Sequence, residues 1–116
     1  MSLPGRWQMI RAEFDGAPAP DLVVQHTELR FTATHYAIYF DGEPADQGTF
    51  ESAGDADSRN LILHPESGPN AGRTLRCLFQ LTGDRLRICF GLDGTPPTAF
   101  ATAADSHRYL ATYRRL

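Results

Sequence analysis

Apolar and polar residues alternate along this chain in short stretches, and the stretches are separated by Gly, Pro, Asp and Asn. A two-residue period marks a half-buried strand. No segment holds a 3.6-residue apolar period over ten residues, so helix is expected to be a minor component. The pattern predicts eight strands: Gly5–Glu13, Glu28–Ala33, His35–Asp41, Gln47–Ser52, Asn60–His64, Thr74–Leu81, Arg85–Gly91 and His107–Arg115. Short, evenly spaced strands in one small domain point to an all-β antiparallel meander, closed into a barrel or folded into a sandwich.

Two hairpins have a register that the side chains dictate. Gly83-Asp84 is a two-residue turn signal, with Gly83 supplying the positive φ that such turns need. Pairing outward from it sets Leu81 against Leu86, Phe79 against Ile88 and Cys77 against Phe90, all on one face. A slip of one residue would put Thr82, Gln80, Arg85 and Arg87 on that face, which a core could not accept. In the same register Cys77 and Cys89 point to opposite sides of the sheet, so no disulfide is expected between them. The second hairpin sets Leu29 against Ile38 and Phe31 against Tyr36. It reverses either at Ala33-Thr34 or, since neither residue favours positive φ, over a longer loop from Thr32 to His35.

Asp41 to Pro44 forms a turn into Gln47, and Asp55 to Asn60 and Pro65 to Gly72 are polar connections. Two connections exceed simple turns. Asp15–Thr27 carries Pro18, Pro20 and the apolar run Leu22-Val23-Val24, which needs cover such as a barrel mouth. Leu92–Ser106 carries Pro96-Pro97 and Phe100. Connections of this length either bind something or pack as plugs.

Composition narrows the function classes. A length of 116 residues with 41% hydrophobic and 22% charged residues suits a single globular domain and not a disordered chain. No apolar run approaches the ~18 residues that span a bilayer, and the first residues lack the pattern of a secretion signal. The net charge of −3 offers no overall basic footprint for nucleic acid. All eleven basic residues are arginine, which removes lysine Schiff-base chemistry and a phosphate-loop lysine. Two cysteines are too few for a disulfide scaffold, and a reduced, cytoplasmic setting is expected.

At Gly5-Arg6-Trp7 the first predicted strand opens with a G-x-W pattern that resembles the calycin superfamily, which includes the lipocalins. Glu13-Phe14-Asp15-Gly16, Leu29-Arg30-Phe31, Gly48-Thr49-Phe50, Gly68-Pro69 with Gly72, Leu81 to Leu86 and Pro97-Thr98-Ala99-Phe100 then follow in order. The series resembles an uncharacterised bacterial domain family, abundant in planctomycetes and described as lipocalin-like, over nearly the whole chain from Gly5 to Arg115. The family carries Arg-Pro before its x-x-Phe, whereas Pro96 stands at the arginine position here. The resemblance implies an eight-stranded up-and-down barrel that binds a small apolar or amphipathic molecule, and it implies no reaction. It also implies that Trp7 closes one end, with an arginine of the last strand across it. Arg114 and Arg115 both qualify, and Arg115 is preferred because it shares a face with Tyr109, Ala111 and Tyr113.

Eight strands can be filled by their own side chains or can hold one small ligand. A cavity and its rim would be lined by Phe31, Tyr36, Ile38, Phe50, Phe79, Ile88, Phe90 and Phe100, opening under Leu22-Val23-Val24 with Tyr36, Tyr39 and Phe100 at the rim. The alternative is a protein-interaction module with an occluded core and exposed aromatics such as Tyr39 as contacts, either monomeric or weakly dimeric. An enzyme is the lesser reading, because no two carboxylates among Glu13, Glu51 and Glu66 are brought together by spacing. Ser106 and His107 are adjacent strand residues and face opposite ways. No cofactor or metal is expected. His26 or His64 could serve as an axial haem ligand only alone, and the loop from Asp55 has Arg59 where calcium needs an oxygen.

Overall fold

The computed structural model describes residues 3–54 and 59–116. Strands β1 (Gly5–Phe14), β3 (Thr27–Phe31), β4 (His35–Phe40), β5 (Glu43–Gly54), β6 (Arg59–Ser67), β7 (Leu75–Thr82), β8 (Arg85–Gly91) and β9 (Arg108–Arg115) pair with their neighbours in antiparallel order. β1 also pairs with β9, which closes the sheet into an eight-stranded barrel. A two-residue strand β2 (Ala17–Pro18) folds back on the end of β1, and a six-residue helix α1 (Asp21–His26) leads into β3.

Both hairpin registers match the expectation. Leu81 faces Leu86, Phe79 faces Ile88 and Cys77 faces Phe90; Leu29 faces Ile38 and Phe31 faces Tyr36. The second hairpin turns at Ala33-Thr34 with neither residue at positive φ. Instead the Thr32 hydroxyl accepts hydrogen bonds from the backbone N–H groups of Thr34 and His35, at 3.3 and 3.0 Å. A threonine side chain thus supplies the turn acceptor.

Three elements run differently from the sequence reading. β5 begins at Glu43, because the chain already reverses at Asp41-Gly42, and it carries Pro44 within the strand. β6 continues through Pro65 to Ser67. Each proline sits beside a register shift where the ladder is already interrupted, so its missing N–H leaves no gap in the regular pairing. The run Leu22-Val23-Val24 lies in α1, which packs on the core through Val24 while Leu22 stays 64% exposed. The Gln8 amide reaches the Val24 and Gln25 carbonyls at 3.1 and 3.3 Å, and the Thr27 hydroxyl donates to the Val23 carbonyl at 2.6 Å. These contacts hold the helix end against the wall.

The inner face holds the core: Trp7, Met9, Leu29, Phe31, Tyr36, Leu61, Leu63, Cys77, Phe79, Leu86, Ile88, Phe90 and Tyr113 are all buried. Cys77 is among them, whereas Cys89 lies on the outer wall beneath the 92–106 connection; both thiols are free and buried.

At one end of the barrel the Arg115 guanidinium lies 4.2 Å from the Trp7 ring centre and donates to the Pro4 carbonyl at 3.1 Å. Trp7, fully buried, donates its indole N–H to the Leu3 carbonyl at 3.0 Å. Gly5 has φ +135°, and a Cβ there would stand 2.8 Å from Arg115 Nη1. Backbone conformation and space together call for glycine.

Phe79→Ala is expected to cost about 3–5 kcal/mol by removing a core aromatic. Gly5→Ala is expected to cost about 1–3 kcal/mol through the strained backbone. Urea unfolding of both variants beside the parent chain measures these values, and a Gly5→Ala variant as stable as the parent would refute the closure geometry.

Candidate functional site

Seven of the eight residues expected to line a cavity do share the inner face: Phe31, Tyr36, Ile38, Phe50, Phe79, Ile88 and Phe90. They meet one another rather than enclosing a space. Phe31 and Phe50 stack edge-on with centroids 4.9 Å apart, and Phe90 lies 5.7 Å from Tyr109. Ile88 and Leu86 are fully buried and Tyr36 is 2% exposed. A water-sized void beside any of these side chains would leave part of its surface accessible. Phe31, Tyr36, Phe79, Ile88 and Phe90 are buried core, and Ile38 and Phe50 are partly buried against it.

The expected opening under α1 is not formed as described. A surface cleft does run beside the helix, lined by Gln8, Met9, Ile10, Asp21, Val24 and Gln25, and its one core residue is Met9. Tyr36 lies inside the barrel and Tyr39 on the outer wall of β4. Phe100 is also outside, under the Arg87 guanidinium at 4.3 Å, because the 92–106 connection lies along the outer wall of β8 and β9. Asp93 fixes the start of that connection: Thr95 and Arg108 hydrogen bond to its carboxylate and hold it well below the usual range. At the Trp7 end, a depression of about 290 Å³ lies between Leu3, Pro4 and Ala33 on one side and Phe50, Phe79 and Leu81 on the other. Of its core residues only Phe50 is more than marginally accessible.

One polar pair stands inside the barrel. The Tyr36 hydroxyl donates to Asp46 Oδ1 at 2.9 Å, and both residues are buried. Burial pushes the Asp46 carboxyl up more than the hydrogen bonds from Tyr36 and Asn70 pull it down, and the Tyr36 hydroxyl is pushed up by burial and by Asp46. Asp46 was legible in the sequence, since counting back by twos from Phe50 through Gly48 places it on the inner face. The alternation of apolar residues alone passes over it.

The outer wall offers a groove of about 300 Å³ across β3 to β6, lined by Arg30, Thr32, His35, Ala37, Tyr39, Gln47, Gly48 and Glu66 among others. Its floor is low because Ala37 is small, and Gly48 lets the β5 and β6 backbones approach closely. A Cβ on Gly48 would lie 2.1 Å from the His64 carbonyl oxygen. Arg30 stands 4.1 Å over the Tyr39 ring and also binds Glu28, whose carboxylate is held low by Arg6 first and then by Arg30. The groove therefore has an aromatic wall with a fixed cation beside it.

The histidines considered for haem do not face the core. His64 pairs with Glu51 at 2.8 Å, and His26 pairs with Asp41 at 3.2 Å, on exposed surface. Among the described residues no three His, Cys, Asp or Glu side chains converge on one point. The Asp55–Ser58 part of the loop compared with a calcium site lies outside the described residues. No helix among the described residues is long and apolar enough to cross a membrane.

The Tyr36–Asp46 pair generates a pH-dependent expectation. The folded carboxyl titrates above its unfolded value of about 3.9, so its contribution is most favourable below that value and is lost as pH rises through the folded value. Asp46→Asn keeps an acceptor for Tyr36 and removes this dependence, so the variant should gain on the parent chain between pH 3 and pH 7. Tyr36→Phe, which strips the buried carboxyl of one of its two donors, should cost about 1–3 kcal/mol at pH 7. Urea unfolding across that pH range checks both, and a gain for Asp46→Asn that is flat with pH would contradict the assignment.

Compared with known proteins, no family model, no curated protein and no solved structure matches the chain.

Proposed function

We propose that this chain is a member of the lipocalin-like bacterial family it resembles, and that it acts as a protein-interaction module through the outer wall of its barrel. The family reading is supported by Gly5-x-Trp7 opening the first strand of a closed eight-stranded barrel, with Arg115 of the last strand across the indole. The observation that carries the functional reading is the occupied interior. With Trp7, Phe31, Phe79, Ile88, Phe90 and Tyr113 filling the axis, a ligand would have to displace core side chains. Displacing even one large residue forfeits contacts worth several kcal/mol.

The groove over Ala37 and Tyr39 demands no such rearrangement. An extended protein segment laid there would set an apolar side chain on Tyr39 and Ala37. Arg30, Gln47 and Glu66 at the margins would meet its polar groups. Tyrosine and arginine are the residue types that most often dominate binding energy at protein interfaces. A second reading rests on the depression at the Trp7 end, where half-buried Phe50 offers an apolar seat for a small molecule without opening the core.

Peptides selected from a displayed library against the full chain, then mapped by amide chemical shifts, test the two readings. The expected binders shift Arg30, Ala37, Tyr39 and Gln47 and are weakened about tenfold or more by Tyr39→Ala. An apolar dye that binds saturably and shifts Phe50, Ala33 and Leu81, with no peptide binder found at the groove, would favour the second reading. Shifts centred on Leu29 and Ile88 would instead restore a ligand to the barrel interior.

A further inference from the structure

Four arginines project from one part of the outer wall. Arg85 of β8 lies directly across from Arg114 of β9, and Thr112 of β9 is flanked by Arg87 of β8 and Arg11 of β1. Directly opposed side chains in an antiparallel sheet are about 4.5–5.5 Å apart at Cβ, and like charges so placed repel. The chain as a whole carries a net charge of −3, so this concentration does not follow from composition. Two acidic neighbours offset part of it and leave the arginines in excess. Asp84 pairs with Arg85 at 3.2 Å, and Glu13 accepts a hydrogen bond from the Thr102 hydroxyl at 2.8 Å. Among the described residues, neither the Arg11 nor the Arg114 side chain has an ion-pair or hydrogen-bond partner, and that of Arg87 has a neutral one.

Arg87 is held in a way that suits a receptor. Gln80 Oε1 accepts from its Nε and Nη2 at 3.1 and 2.6 Å, while the ring of Phe100 supports the guanidinium from below at 4.3 Å. Both Nη1 hydrogens remain for another acceptor. A cavity of about 310 Å³ opens beside it, lined by Arg11, Glu13, Arg87, Phe100, Leu110 and Thr112 among others. One side of that cavity is cationic, with Thr112 between the two arginines; the other is formed by Phe100 and Leu110 together with Glu13, whose carboxylate accepts from the Thr102 hydroxyl.

We propose that this strip is a binding site for a small organic phosphate. A phosphate group presents several oxygens in a tetrahedron, which suits guanidinium groups approaching from two strands with a threonine between them. A carboxylate is satisfied by one bidentate arginine and would leave the second without a partner. Phe100 and Leu110 receive the organic part, so a phosphate monoester with a ring or short alkyl group is the expected ligand class, bound more tightly than the bare anion. The site is separate from the groove over Tyr39. It depends on β1, β8, β9 and the 92–106 connection being brought together by closure of the barrel.

Titration of the isotope-labelled full chain with phenyl phosphate and with inorganic phosphate tests this directly, at constant ionic strength set with chloride. Expected are saturable shifts of the Arg11, Arg87, Thr102 and Thr112 amides and of the Arg87 Nε–H, with phenyl phosphate the tighter of the two. Arg11→Gln and Arg87→Gln should each weaken binding by about tenfold. Arg76→Gln, which removes the same charge from β7 four residues from Gln80, should change it less than about twofold. Thermal melts confirm that each variant folds, and Arg11→Gln, at an exposed position, serves if Arg87→Gln does not. No saturable shift, shifts elsewhere on the barrel, or an equal loss in Arg76→Gln would overturn the assignment.

Discussion

The seam between the first and last long strands is the constraint on which the rest of the molecule depends. β1 pairs with β9 from Trp7–Arg115 to Phe14–Tyr109, absorbing one register shift between Met9 and Arg11. At the end of that seam Arg115 covers the Trp7 indole, an arrangement worth about 0.5–2 kcal/mol that grows as the cation is desolvated. The stacking energy is smaller than its positional effect. Gly5, Pro4 and Leu3 are all drawn to the same point by a close approach and two hydrogen bonds to backbone carbonyls. Without the seam the sheet would have two long free edges, each a row of unpaired backbone groups open to other chains.

Closure at this size also decides where binding can occur. The interior of an eight-stranded barrel is narrow, and here aromatic residues from β1, β3, β4, β5, β7, β8 and β9 meet across it. Such a core has little tolerance for displacement. The outer wall, by contrast, carries features that stability alone does not require: an aromatic groove with a cation fixed over it, and opposed arginines beside a cavity. A rigid cylinder with specialised outer faces is a sound platform for recognition, because strands hold side chains more firmly than loops do.

Much of the fold was legible because period-two alternation and register reinforce each other. Only one register put Leu81, Phe79 and Cys77 with Leu86, Ile88 and Phe90 on a single face, and the structure adopts it. The choice of Arg115 over Arg114 followed from the same alternation along β9. Connections were less legible. Leu22-Val23-Val24 is too short to display a helical period, and its helix depends on packing against β1 and on the Gln8 and Thr27 side chains. Phe100, expected at the rim, lies on the outer wall instead, since an apolar residue in a fifteen-residue connection can fold over the mouth or along the wall. What decided its position was Arg87, whose stem and guanidinium give the ring a surface outside the barrel.

The outer faces were the least legible part, for a physical reason. Residues such as Arg11, Thr112 and Arg87 are distant in sequence and adjacent only after closure. Native-state hydrogen exchange across the seam tests closure most directly. The paired amides of Trp7–Phe14 and Tyr109–Arg115 are expected to exchange only through global unfolding, with the same free energy as those of the Leu75–Gly91 hairpin. Seam amides that exchange far faster while the hairpin stays protected would contradict a closed barrel.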